Sequence, residues 1–169
     1  MLNITVTAET SASPQQVIAL AGTEFSAHRA EIWPNVTTRR LEVHDRADTS
    51  AEVTEGATGI ARFAWERSRY DWSRPGVVKQ TVLDSNVVEP GSTWELRVLP
   101  REGGGSLVEM TLARRFRPSL AGRYGSVLNH LAGRPGWRSF LRRALNAVER
   151  DSTPAGHPVV DVGSPVATG

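Results

Sequence analysis

Between Thr38 and Phe116 the sequence passes through one strand-like segment after another and shows little helical period. In Leu107 to Phe116, Val108, Met110, Leu112, Arg114 and Phe116 alternate with Glu109, Thr111, Ala113 and Arg115. Ser92 to Leu99 carries Trp94, Leu96 and Val98 at the same spacing. Thr38 to Asp45 sets Leu41 and Val43 among charges, Ala51 to Ala57 is a weaker segment around Val53, and Val77 to Leu83 is apolar and β-branched. Alternation of this kind marks strands with two unlike faces. The links are short, as at Pro75-Gly76 and the glycine-rich turn from Pro100 to Gly105. A crossover between parallel strands needs about a dozen residues or more, so such links dictate antiparallel hairpins.

The flanks supply what covers the sheet. Asn3 to Thr10 alternates Ile4, Val6 and Ala8 with Thr5, Thr7 and Glu9, a half-buried strand. Ser13 can cap a helix that Pro14 begins, with Val17, Ile18, Leu20 and Ala21 on its apolar side and Gly22 at its end. A second short helix is expected over Ala27 to Ile32, stopped by Trp33-Pro34 because a residue before proline is pushed out of helical geometry. After the last strand, Leu120, Tyr124, Val127, Leu128 and Leu131 share a helical face. The register breaks at Gly133 to Gly136 and resumes with Trp137, Phe140, Leu141, Ala144, Leu145 and Val148, leaving Arg138, Arg142, Arg143 and Arg150 outside the arc. The predicted architecture is α+β: an antiparallel sheet of about seven strands, two short helices after the first, and a long C-terminal helix on the sheet. Residues 1–151 are expected to form one domain, and residues 152–169, with prolines, glycines and scattered valines, a disordered tail.

Composition removes several functions. There is no cysteine, hence no disulfide, zinc–thiolate site or cysteine nucleophile. No stretch approaches the ~20 apolar residues of a membrane span, and the N-terminus lacks a secretory pattern, so a cytoplasmic location without membrane insertion is expected. Lys79 is the only lysine among many arginines, which fits a GC-rich genome better than a nucleic-acid site. His28, His44, His130 and His157 show no metal-ligand spacing, and no phosphate-binding glycine loop or Gly-x-Ser-x-Gly is present, so no metal or cofactor is expected.

One strand is unusual. Trp65 to Trp72 puts Trp65, Arg67, Arg69 and Asp71 on one side and Glu66, Ser68, Tyr70 and Trp72 on the other. Both sides mix rings with titratable groups, as a surface built to hold something does.

The order of elements, with Ile4-Thr-Val6, Ser13-Pro14-Gln-Gln-Val17, Trp33-Pro34-Asn35-Val36, Pro90-Gly91-Ser-Thr-Trp94-Glu95, Leu107-Val-Glu-Met-Thr111 and the closing helix, resembles the START-like or helix-grip (SRPBCC) superfamily over about residues 2 to 150. That group takes in birch-pollen-allergen proteins, START lipid-transfer domains and polyketide cyclases/dehydrases. The resemblance implies a curved sheet gripping the long helix, with a cavity between them for a small hydrophobic or amphipathic ligand such as a lipid or polyketide. It transfers no catalytic residue, because the group has no universal catalytic motif. The ligand-binding candidates are Trp33, Glu66, Tyr70, Trp72, Trp94, Leu96, Met110, Leu112, Arg114 and Leu128. On the central strand the preferred cavity face is Glu66, Ser68, Tyr70 and Trp72; a bulge would turn Trp65, Arg67 and Arg69 inward instead. Arg114, in phase with Met110 and Leu112, meets a ligand carboxylate, pairs with Glu66 or Asp71, or reaches solvent at the cavity mouth. The alternative function is a cofactor-independent polyketide cyclase or dehydratase, with Tyr70 and Glu66 as acid–base groups. The expected partner is the small ligand, not nucleic acid, and the protein a monomer or homodimer.

Overall fold

The computed structural model describes residues 1–152; of the tail expected over residues 152–169, Ser152 closes the last helix and the rest lies outside the described residues. Strand β1 (Leu2–Thr10) is followed by α1 (Pro14–Val17), which runs on into a π-helical turn over Ile18–Gly22, and by α2 (Arg29–Ile32). Then come β2 (Val36–Arg46), β3 (Ser50–Ala57), β4 (Trp65–Asp71), β5 (Val77–Ser85), β6 (Thr93–Pro100), β7 (Ser106–Arg114) and the long helix α3 (Leu120–Ser152). A seven-stranded antiparallel sheet, ordered β1-β7-β6-β5-β4-β3-β2, grips α3. This is the helix-grip arrangement that the resemblance implied.

Local chemistry explains the elements. Ser13 Oγ accepts from the Gln16 backbone N–H, and the Gln16 side chain accepts from the Ser13 N–H at 2.8 Å, a reciprocal cap with Pro14 opening the helix. Trp33 leaves α2 with extended backbone, φ −106° and ψ 100°, as the following proline requires. β1 buries every second side chain along its length. The strand expected over Trp65 to Trp72 runs from Trp65 to Asp71, and Gly59–Ala61 before it is a 3₁₀ turn with Ile60 exposed.

The core lies under the second half of α3, where Leu141, Ala144, Leu145 and Val148 are buried with Leu96, Val98, Val108 and Met110 of the sheet. The helix breaks at Gly133, whose φ of 53° and ψ of −166° are not helical, with Pro135 restarting it. The first half is seated differently from the expected apolar packing. Leu120, Tyr124, Val127 and Leu131 are exposed, and the buried positions are Gly122 and Gly125. A Cβ on Gly122 would lie 2.1 Å from the Arg117 carbonyl oxygen, and one on Gly125 2.5 Å from Val87 Cγ1. The backbone of this half therefore approaches its neighbours along a face of small residues, which turns most of the large apolar ones outward.

Candidate functional site

Where the first half of α3 stands off the sheet, a cavity of about 620 Å³ remains. Its floor comes from β3 to β7, its far wall from α3 residues Gly125, Leu128, Asn129, Ala132, Gly136, Trp137 and Phe140, and its rim from residues 58–64. Phe63 on the rim meets Tyr124 of α3 with ring centroids 5.6 Å apart.

The phase of β4 decides what the floor carries. The register slips between β4 and β5, but the extra residue, Leu83, belongs to β5: Arg67 pairs with Asp84 and Ser68 with Val82. β4 keeps its alternation. Ser68 and Tyr70 are buried on the concave side, while the side chains of Arg67 and Arg69 are 48% and 63% exposed outside, both pairing with Glu52. Trp65, at the start of the strand, borders the cavity.

Two polar networks result. In the first, Arg114 reaches across the sheet from the end of β7, and its Nη1 donates to Glu66 Oε1 at 2.8 Å and Oε2 at 2.7 Å. Arg114 Nη2 donates to Gln80 Oε1 at 3.2 Å, and Gln80 Nε2 donates to Ser68 Oγ at 2.9 Å and Glu66 Oε2 at 3.3 Å. Of the two partners open to Arg114, then, the structure pairs it with Glu66. In the second network, Arg29 of α2 donates from Nε to Glu55 of β3, from Nη1 to the Glu24 carbonyl at 3.0 Å, and from Nη2 to the Tyr70 hydroxyl at 3.1 Å. The Tyr70 hydroxyl in turn donates to Glu55. The Arg29 guanidinium lies 4.8 Å from the centre of the Phe25 ring.

The electrostatics of this second set follow from its burial. Burial alone would lower the Arg29 pKa, but Glu55 and the Tyr70 oxygen together outweigh it, and the guanidinium is held more firmly protonated than an ordinary arginine. Burial, and next the Glu55 charge, push the Tyr70 phenol well above the usual tyrosine range, against the pull of Arg29.

Aromatic rings form the apolar wall. Trp33 is fixed by its Nε1, which donates to the Ala21 carbonyl at 2.8 Å. Its ring meets Trp94 edge-on at 5.7 Å and Phe140 at 5.2 Å, and Phe140 meets Trp137 edge-on at 5.4 Å. Such contacts hold rings in place without closing the space before them.

Of the candidate residues, Trp33, Glu66, Tyr70, Trp94, Leu112, Arg114 and Leu128 border the cavity. Three others do not. Leu96 and Met110 face each other on β6 and β7, fully buried in the core beneath the second half of α3. Trp72 lies past the end of β4, where its ring packs near Phe25 and its Nε1 donates to the Asp48 carbonyl at 3.0 Å. Tyr70 and Glu66 both border the cavity but belong to different networks: the Tyr70 hydroxyl bonds Glu55 and Arg29, and Glu66 bonds Arg114 and Gln80. His28 does not border the cavity; its ring bonds Glu31 and Asp151. Sequence reasoning missed Arg29, Glu55 and Gln80. Glu55 is in phase with Ala51 and Val53, and Gln80 with Val78 and Val82, so both showed as polar residues on an inward face. Arg29 carried no such signal.

No family model matches the sequence, and neither does any curated protein. Solved structures do match. The ZhuI aromatase/cyclase from Streptomyces sp. R1128 superposes with a TM-score of 0.74 at 17% identity, over 92% of this chain and 98% of that one. A START superfamily protein from Mycobacterium smegmatis matches at 0.60 and 11% identity, over 83% and 97%. Norcoclaurine synthase from Thalictrum flavum, in complex with dopamine and hydroxybenzaldehyde, matches at 0.63 and 10% identity, over 90% and 88%. The chain has the START-like helix-grip fold. No described helix is long and apolar enough to cross a membrane.

Proposed function

We propose that this protein binds, and carries, a small aromatic or amphipathic molecule in the cavity between the sheet and the first half of α3. The observation that carries the reading is the cavity's make-up: about 620 Å³, walled by Trp33, Trp94, Trp137 and Phe140, with the Arg114–Glu66–Gln80 network fixed on its floor. Ligand pockets of roughly 300–1,000 Å³ combine apolar walls with a few placed polar groups in this way. The neighbouring folds lend support, since one is an aromatase/cyclase and another holds aromatic molecules. A catalytic reading has less behind it. The phenol best placed to donate a proton, Tyr70, commits it to Glu55 in a buried cluster.

The test is a titration with phenylnaphthylamine, a neutral aromatic dye that brightens in apolar surroundings. Saturable one-to-one binding is expected in the wild type. Leu128→Trp, which adds a ring to the cavity wall, should weaken it by about tenfold or more. An absence of saturable binding, or equal binding by a folded Leu128→Trp variant, contradicts the proposal.

A further inference from the structure

Resting on that reading, we infer that the cavity selects neutral ligands carrying a hydroxyl or comparable donor, and rejects ligands whose carboxylate would lie on its floor. The reason is how its charges are spent. Two arginines face the cavity, Arg29 buried and Arg114 half-buried, and each already has a carboxylate: Arg114 has Glu66, and Arg29 has Glu55. Arg29 is 3% exposed, and its Nε, Nη1 and Nη2 are all engaged within the protein. Each of these nitrogens already donates within the protein, and the Arg29 charge is matched by Glu55.

Within the Arg114–Glu66 pair, the acceptor is the more open partner. The Glu66 side chain is 25% exposed and that of Arg114 12%. Glu66 accepts twice from Arg114 Nη1 and once from Gln80 Nε2. An ionised carboxylate offers about four lone-pair positions, so one remains. A ligand hydroxyl above the floor completes that set. A ligand carboxylate there meets Glu66 and Glu55 with, among the described residues, no unpaired buried cation to offset its lost hydration, and burying an uncompensated charge is strongly unfavourable. Arg143 also borders the cavity, but it is exposed at the rim, where water screens it. With rings on the walls, the implied ligand class is a hydroxylated aromatic, phenolic or enolic.

Competition against bound phenylnaphthylamine tests this on the full chain at neutral pH, where naphthol is neutral and naphthoate is ionised. Naphthol should displace the dye at a concentration at least about tenfold below naphthoate. In Glu66→Gln the Arg114 cation loses its counter-charge, and the gap should close or invert in favour of naphthoate. Equal or tighter binding of naphthoate by the wild type overturns the inference while leaving the cavity reading intact. So does an unchanged gap in folded Glu66→Gln, and so does a naphthoate preference that Arg143→Gln abolishes, which places the anion at the rim. Dye that fails to bind at all sinks the cavity reading itself, and the inference with it. The wild-type comparison needs no variant, so it decides the matter even where Glu66→Gln does not fold.

Discussion

Tyr70→Phe isolates the buried Arg29–Glu55–Tyr70 cluster, because it removes one oxygen and leaves the ring against Phe25 in place. That oxygen accepts from Arg29 Nη2 and donates to Glu55. Both partners are charged, and Arg29 is 3% exposed, so water does not readily replace the lost hydroxyl. Hydrogen bonds to charged groups contribute about 1.5–3 kcal/mol each, and buried groups left without a partner cost a similar amount. Some compensation through the remaining Arg29–Glu55 bond leaves an expected loss of about 2–4 kcal/mol, or a fall in Tm of roughly 5–15 °C for a chain of this size. Urea unfolding followed by the fluorescence of the five tryptophans measures it. The pH dependence gives a second readout. The folded state holds the Tyr70 proton more tightly than the unfolded chain, whose tyrosine titrates near pH ~10. Above that pH the folded state therefore binds more protons than the unfolded one. The contribution is complete below about pH 10 and is lost as pH rises through the folded value. Tyr70→Phe should remove that part of the alkaline slope. A loss under about 0.5 kcal/mol with an unchanged alkaline slope would refute the reasoning.

Two further perturbations probe how α3 is held. Glu149 ties the second half of α3 to the end of β1, accepting at 2.7 Å from both the Ser11 N–H and Thr10 Oγ1, and these bonds hold its carboxyl below the usual range. Its contribution is present above the unfolded value and lost as pH falls through the folded one, so Glu149→Gln should cost about 1 kcal/mol at neutral pH and flatten the acid limb of the stability curve. An acid limb as steep as the wild type's counts against it. Gly125→Ala places a Cβ 2.5 Å from Val87 Cγ1. Overpacking of about 1–3 kcal/mol should outweigh the roughly 1 kcal/mol gain in helix propensity, giving a net loss in thermal unfolding. A more stable variant would mean that the first half of α3 is not seated on Val87.

The sheet was legible because each strand needs only its own alternation, and the short links force the pairing. The phase of β4 was not settled in the same way. It depended on which strand carries the bulge, and the extra residue sits at Leu83 of β5, a fact about pairing rather than about Trp65 to Trp72. Alternation also says which residues face the concave side, not where that side remains unfilled. Leu96, Met110 and Leu112 all face inward, but only Leu112 borders the cavity, because the second half of α3 covers the other two. The break at Gly133 was visible, whereas the orientation of the helix before it was not. The period of Leu120, Tyr124, Val127 and Leu131 describes an apolar face, yet the close approach that Gly122 and Gly125 permit decides which side turns in. Arg29 was hidden most completely. It meets partners 26 and 41 residues away, and an arginine in a short charged helix gives no sign of burial.

The central claim is that the space between the sheet and the first half of α3 is a ligand site whose polar anchor is Glu66. A crystal structure of the protein with naphthol tests it most directly. The account predicts density for the rings against the wall of Trp33, Trp94 and Phe140, with the hydroxyl at hydrogen-bonding distance from a Glu66 carboxylate oxygen. Naphthol bound only on the outer surface, or in the cavity with its hydroxyl turned away from Glu66 towards the rim, would contradict it.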